Sequence, residues 1–125
     1  MKKNSTNYYS PDPGPFIFSA TEGTDNEFSG IIIIPPLLPS GQTIMCVTDY
    51  NIVIVYLILS HADHLQKYFA STDYRIINHK TVRASRAITY TMKYDSLGSE
   101  SKITIAFFDE SRILVAEFIG TVKVK

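Results

Sequence analysis

Histidine, cysteine, serine and paired carboxylates are the side chains that most often carry chemistry, and in this chain of 125 residues they are few and dispersed. The best-defined cluster is His61, Asp63 and His64. Residues three apart share a helix face, and imidazole suits zinc, copper or nickel. Two histidines do not close a site, and no cysteine or glutamate pattern accompanies them. Asp63 is already accounted for by Ser60, three residues earlier, in a capping-box start: the hydroxyl meets the amide of Asp63 and the carboxylate reaches back. With Leu65 at the centre of the buried helix face, His61 falls at its edge beside Tyr68 and His64 near solvent. The residues therefore specify no metal and no cofactor. The alternative they leave open is a metal-dependent or hydrolytic enzyme using His61, His64 and His79.

Other catalytic arrangements lack an anchor. Cys46 lies in the apolar run TIMCVT, where a thiol acts as a small hydrophobe. The serines sit mostly in turn-like segments, and no GxSxG elbow occurs. Asp95 and Glu100 stand at one end of the strand expected at 102–108 and Asp109 and Glu110 at the other. At roughly 3.3 Å per residue that is about 20 Å, too far for paired-carboxylate chemistry, which works over about 5–10 Å. The six glycines are scattered, so no phosphate-cradling loop exists. On this inventory the chain reads as a non-enzyme.

Twelve basic residues balance twelve acidic ones, and a pI near 6.8 argues against a dedicated nucleic-acid binder. The largest charge feature is Arg75, Lys80, Arg83, Arg86 and Lys93, interleaved with Tyr74, Tyr90 and Tyr94 and free of acids from 74 to 94. It reads either as a solvated edge that discourages strand pairing or as a docking face for an acidic protein or an anion. The PxxP match at Pro36 reads as a polyproline ligand or, preferably, as a loop packing Leu37 and Leu38 on a sheet. No run of eighteen apolar residues exists to span a membrane. A single cysteine and the polar NSTNYYSPDPGP after the first lysines make the cytoplasm the expected compartment.

These side chains belong to one α+β domain at 16–125, preceded by a Pro-rich arm at 1–15. Strands are expected at 15–20 and 28–34, the second stopped by Pro35 and Pro36. Strands at 43–48 and 52–59 should flank a turn at Asp49, Tyr50 and Asn51, the second being apolar on both faces and hence central. The main helix is expected at about 60–72, on the spacing of Ala62, Leu65, Tyr68 and Phe69. A three-stranded C-terminal meander, 86–94, 102–108 and 112–124, completes a mainly antiparallel sheet. Pairing 94 with 101 and 108 with 113 buries Ile88, Tyr90, Met92, Ile103, Ile105, Phe107, Leu114, Ala116 and Phe118 on one face. The opposite face is apolar in one half, at Ala87, Ala106, Phe108, Ile113 and Val115. That half must be covered by the first hairpin with IIIIPPLL or by a partner.

The order from Ile52 onward, a buried strand, a helix at SHADHLQKYFAST, then YRIINHKTVRASRAITYTMKY and two antiparallel strands, resembles the PsbP family of photosystem II extrinsic subunits and its Ran-binding relatives. The resemblance covers about 75 residues and carries no functional motif. It implies a sheet packed with helices and a non-enzymatic, protein-binding role.

These readings converge on a non-catalytic binding or assembly module, structural in kind. It acts through an apolar sheet surface with a basic rim, at Arg83, Arg86, Lys93, Phe108, Ile113 and Val115. Its partner is another protein or a second copy of the chain, with no specific nucleic acid and no membrane span. The sequence leaves open who the partner is and whether the basic stretch holds an anion.

Overall fold

A computed structural model describes residues 13–23, 27–61, 71–97 and 100–123. Among the described residues six strands, β1 (Ile17–Gly23), β2 (Glu27–Ile33), β3 (Ser71–Asn78), β4 (Ala87–Leu97), β5 (Glu100–Phe108) and β6 (Leu114–Lys123), accompany one helix, α1 (Val47–His61). The strands form one sheet in the order β1-β2-β4-β5-β6-β3, antiparallel at every pairing. The α+β class, the antiparallel sheet, the single helix and the C-terminal meander all stand as the sequence indicates.

The helix lies elsewhere in the chain than its spacing suggested. Residues 52–59, expected as a central strand, form the body of α1, and Ser60 and His61 are its end. Of the expected helix at 60–72, residues 62–70 lie outside the described residues, and Ser71 opens β3. The cause is a run so uniformly apolar that its periodicity is hidden. Burial reveals it: Asp49 and Tyr50, Val53 and Ile54, then Leu57 and Ile58 are buried at steps of three and four, while Asn51 and Val55 are exposed. The β-branched residues at 52–55 prefer strands, but burying a helical stripe against the sheet outweighs a preference of tenths of a kcal/mol per residue.

The buried helix stripe meets Ile32 of β2, Ile88, Tyr90 and Met92 of β4, Ile103, Ile105 and Phe107 of β5, and Ala116 and Phe118 of β6 in one core. The inner face of the meander is thus the one derived from alternation except at Leu114, which pairs with Phe108 and is only half-buried. The register differs by two residues, with Tyr94 opposite Ile103 and Ile105 opposite Phe118. A two-residue slip preserves faces, which is why alternation alone could not detect it. A β-bulge between Phe107 and Phe108 pairs Phe107 with Ala116 and Phe108 with Leu114. Val115 falls between those pairs and is fully buried, so it is a core residue and not a partner contact.

Two local features matter later. Gly30 pairs with Tyr90, and a Cβ there would sit 2.6 Å from the Ser19 carbonyl and 2.8 Å from the Tyr90 hydroxyl. The first hairpin, expected as a cover, instead extends the sheet: β2 pairs with β4 and β1 with β2. It enlarges the outer face and covers none of it.

Positions 55 and 57 would share a face in a strand, but in α1 only Leu57 is buried. Leu57→Asp should therefore lose several kcal/mol of stability, while Val55→Asp is tolerated, as read by urea denaturation. Equal losses would contradict the helix.

Candidate functional site

Asp49 is the only buried carboxylate among the described residues, with 0% of its surface exposed. Its position follows from the start of α1. Cys46 is the N-cap, its carbonyl accepting the first helical bond from the Tyr50 amide at 3.0 Å. Asp49 is then the third helical residue, and its Oδ2 accepts from the Cys46 amide at 2.8 Å, half of a capping box. Of the box expected at Ser60 and Asp63, Ser60 lies in the last turn of α1 and Asp63 lies outside the described residues. A negative charge in the first turn also complements the helix dipole.

Two more donors reach this carboxylate from the preceding loop. The Ser40 amide donates to Oδ1 at 2.9 Å and the Ser40 hydroxyl to Oδ2 at 2.7 Å. The loop is anchored elsewhere by backbone bonds: Ile34 to the Arg86 carbonyl, Met45 to the Val82 carbonyl, and Ala84 to the Thr43 carbonyl. Leu38 is buried at its base, whereas Leu37 points to solvent, so only one of the two leucines packs as expected. Gly41, at φ +79, turns the chain back toward α1 in a conformation that L side chains rarely adopt.

The phenol of Tyr50, next in the chain, is buried with its ring 5.4 Å from that of Phe107, and its hydroxyl has no hydrogen-bond partner. Burial, reinforced by the charge of Asp49, pushes its pKa up to about 12. Tyr90 is likewise raised to about 12, by burial first and then by Tyr56.

The site residues expected from sequence are not gathered at this place. Arg86 reaches Glu110 at 3.6 Å and Lys80 reaches Asp109 at 2.8 Å. With Arg83 they line a groove of about 510 Å³ in which acids are interleaved with the bases. The acid-free stretch is therefore partly neutralised by the β5–β6 turn. Lys93 lies on the outer face opposite Glu27, Phe108 on that face beside Thr89, and Ile113 in the β5–β6 turn. His79 Nε2 is 2.6 Å from Glu117 Oε2. His61 is the last residue of α1, and His64 lies outside the described residues. Among the described residues no group of three or more His, Cys, Asp or Glu is placed to hold a metal ion, and no helix is long and apolar enough to cross a membrane.

No family model matches the chain, and no curated protein does. Solved structures do. The E. coli PaaI protein from the phenylacetic acid degradation operon superposes with a TM-score of 0.67 at 13% identity, covering 85% of this chain and 82% of that one. Thioesterase superfamily member 2 from Mus musculus gives 0.71 at 11%, covering 86% and 82%. A hypothetical thioesterase from Streptococcus pneumoniae, solved with coenzyme A, gives 0.68 at 9%, covering 87% and 86%. The chain therefore has the hotdog fold, an antiparallel sheet packed on one long helix. This overturns the PsbP-like resemblance, which rested on a strand at 52–59 and a helix at 60–72. The non-enzymatic, structural reading falls with it, because neighbours across this fold are named thioesterases. That reading had been drawn from the lack of familiar motifs, and a lone buried aspartate makes no motif.

Raised phenol pKa values link to stability with a definite sign. The folded chain holds its Tyr50 and Tyr90 protons more tightly than the unfolded chain, so this stability is complete below pH 10 and lost between pH 10 and 12. At about 1.4 kcal/mol per pH unit the loss is on the order of 2 kcal/mol for Tyr50 and smaller for Tyr90, where solvent screens the charge. Denaturant midpoints measured across that range check it, and Tyr50→Phe should flatten part of the decline.

Proposed function

We propose that this protein hydrolyses a thioester, with Asp49 as the group that activates water. The observation that carries the reading is a buried carboxylate in the first turn of the central helix, in a fold whose solved examples include named thioesterases. Hydrolysis joins a water oxygen to the acyl carbon and breaks the carbon–sulfur bond. A base must take a proton from the water, and the oxyanion formed needs hydrogen-bond donors.

The geometry supplies both kinds of group. An ionised carboxylate offers about four acceptor sites. Three are taken by Ser40 and Cys46, two of them on Oδ2. The open one is on Oδ1, which can hold the attacking water while the three donors keep the carboxylate oriented. The first-turn amides of α1, which an α-helix leaves without intrahelical acceptors, are the donors nearest in the chain for the oxyanion. We assign the leaving thiol to a coenzyme A type carrier, the molecule found with the S. pneumoniae neighbour. The enzyme acts as a homo-oligomer in the cytoplasm.

The test is release of free thiol from a panel of acyl-coenzyme A esters by the purified chain. Asp49→Asn should keep the fold, by circular dichroism, and lower kcat by about a hundred- to ten-thousandfold, the usual contribution of a general base. Full activity in Asp49→Asn, or no turnover of any ester by the wild type, would refute the assignment.

A further inference from the structure

On the face of the sheet that α1 leaves open, the register sets tall and short side chains side by side. Ile31 on β2, Thr89 on β4 and Phe108 on β5 form one cross-strand row, and Ser29, Thr91 and Ala106 form the next. Ile31 and Phe108 are therefore walls on either side of β4, and the small Thr89 and Thr91 are the floor between them. The result is a groove of about 600 Å³, lined also by Ser29 and Arg112. It lies on the opposite face of the sheet from α1 and Asp49. Apolar walls with a few polar groups at defined places are the usual make-up of a small-molecule site. Of the surface expected from sequence, Phe108 lines this groove.

Arg112 gives the groove its charge. It stands in the β5–β6 turn at φ +65, a left-handed conformation uncommon outside glycine. Its amide donates to the Asp109 carbonyl at 2.9 Å, and Asp109 Oδ1 accepts from the Ser111 and Ile113 amides on either side of it. The turn thus fixes the backbone from which the guanidinium reaches the groove. The acids of the same turn are taken by other bases, Asp109 by Lys80 and Glu110 by Arg86. Among the described residues Arg112 has no carboxylate partner. Of the other acids on this face, Glu117 is held by His79 at 2.6 Å, and Glu27 stands opposite Lys93, beyond Thr91.

The geometry points to a binding site for a small monocarboxylate with an apolar body. The carboxylate pairs with Arg112, and the body lies over Thr89 and Thr91 between Ile31 and Phe108. A guanidinium presents paired N–H donors whose spacing matches the two oxygens of a carboxylate. One unpaired cation suits a singly charged anion, whereas a phosphate calls for several converging donors, such as a nest of backbone amides. An inorganic anion would leave Ile31 and Phe108 in water, and an apolar body removes them from it. The site does not depend on thioester hydrolysis, although the acid that such hydrolysis releases belongs to the same chemical class.

Titration of the nitrogen-labelled chain with octanoate, followed through its amide resonances, tests the site. The shifts should saturate and centre on Ile31, Thr89, Thr91 and Arg112. Arg112→Gly, which suits a left-handed φ, should keep the fold and weaken octanoate binding by about tenfold or more, the scale of one charge-assisted contact. It should leave the binding of octanol, which has no carboxylate, unchanged. Thr89→Phe, which fills the floor at an exposed position, should abolish both. Asp49→Asn should alter neither, which separates this site from the one proposed for hydrolysis. An absence of saturable shifts, shifts centred on α1, or equal octanoate affinity in wild type and Arg112→Gly would overturn the proposal.

Discussion

Everything described here depends on burying one helical stripe, Tyr50, Val53, Ile54, Leu57 and Ile58, against the inner face of the sheet. At roughly 1.5–3 kcal/mol for each large apolar side chain removed from water, that seam is a large contribution in so small a domain. It also sets where the candidate site lies. Once the stripe is aligned with β4 and β5, the first turn of α1 is carried into the interior, and Asp49 is carried with it. A carboxylate in that position is stable only if it is hydrogen-bonded. The loop from Ile34 to Cys46 supplies the donors, so the core places the loop and the loop fixes the orientation of the carboxylate.

How much of this was legible in the sequence depends on contrast. The meander was readable because Ile88, Tyr90 and Met92 alternate with Thr89, Thr91 and Lys93, and that contrast assigned the inner face correctly. The helix was not readable by the same means. From Ile52 to Leu59 there is no polar residue except the Tyr56 hydroxyl, and a run without contrast has no visible period. The usable signals were at its start. Asp49 follows Cys46 by three residues, and Asn51 and Val55, four apart, both proved to be exposed. Read as a turn, Asp49, Tyr50 and Asn51 concealed a capping box whose first member is a cysteine in place of a serine or threonine.

The site was hidden for a related reason. Catalytic readings from sequence look for several reactive side chains at fixed spacing. Here one ordinary carboxylate gains its character from burial and from three donors, two of them nine positions away on Ser40. Such a group becomes visible only when the fold is known. The apolar outer face, by contrast, was legible, because Ala87, Ala106 and Phe108 break the polar alternation expected of a solvated sheet. What alternation could not show is that the hairpin with IIIIPP lengthens this face. Pro35 and Pro36 end β2 only after its isoleucines have paired with β4.

Gly30 limits which substitutions this chain can accept. Gly30 and Tyr90 are not free to change separately. The tyrosine ring fills the space that a side chain at 30 would need, and the Ser19 carbonyl closes the other side. Any replacement at 30 needs a smaller residue at 90, which opens a hole in the core, and also a shift of the Ser19 backbone away from it. The two positions, sixty residues apart in the chain, behave as one unit: changing either alone passes through a less stable form.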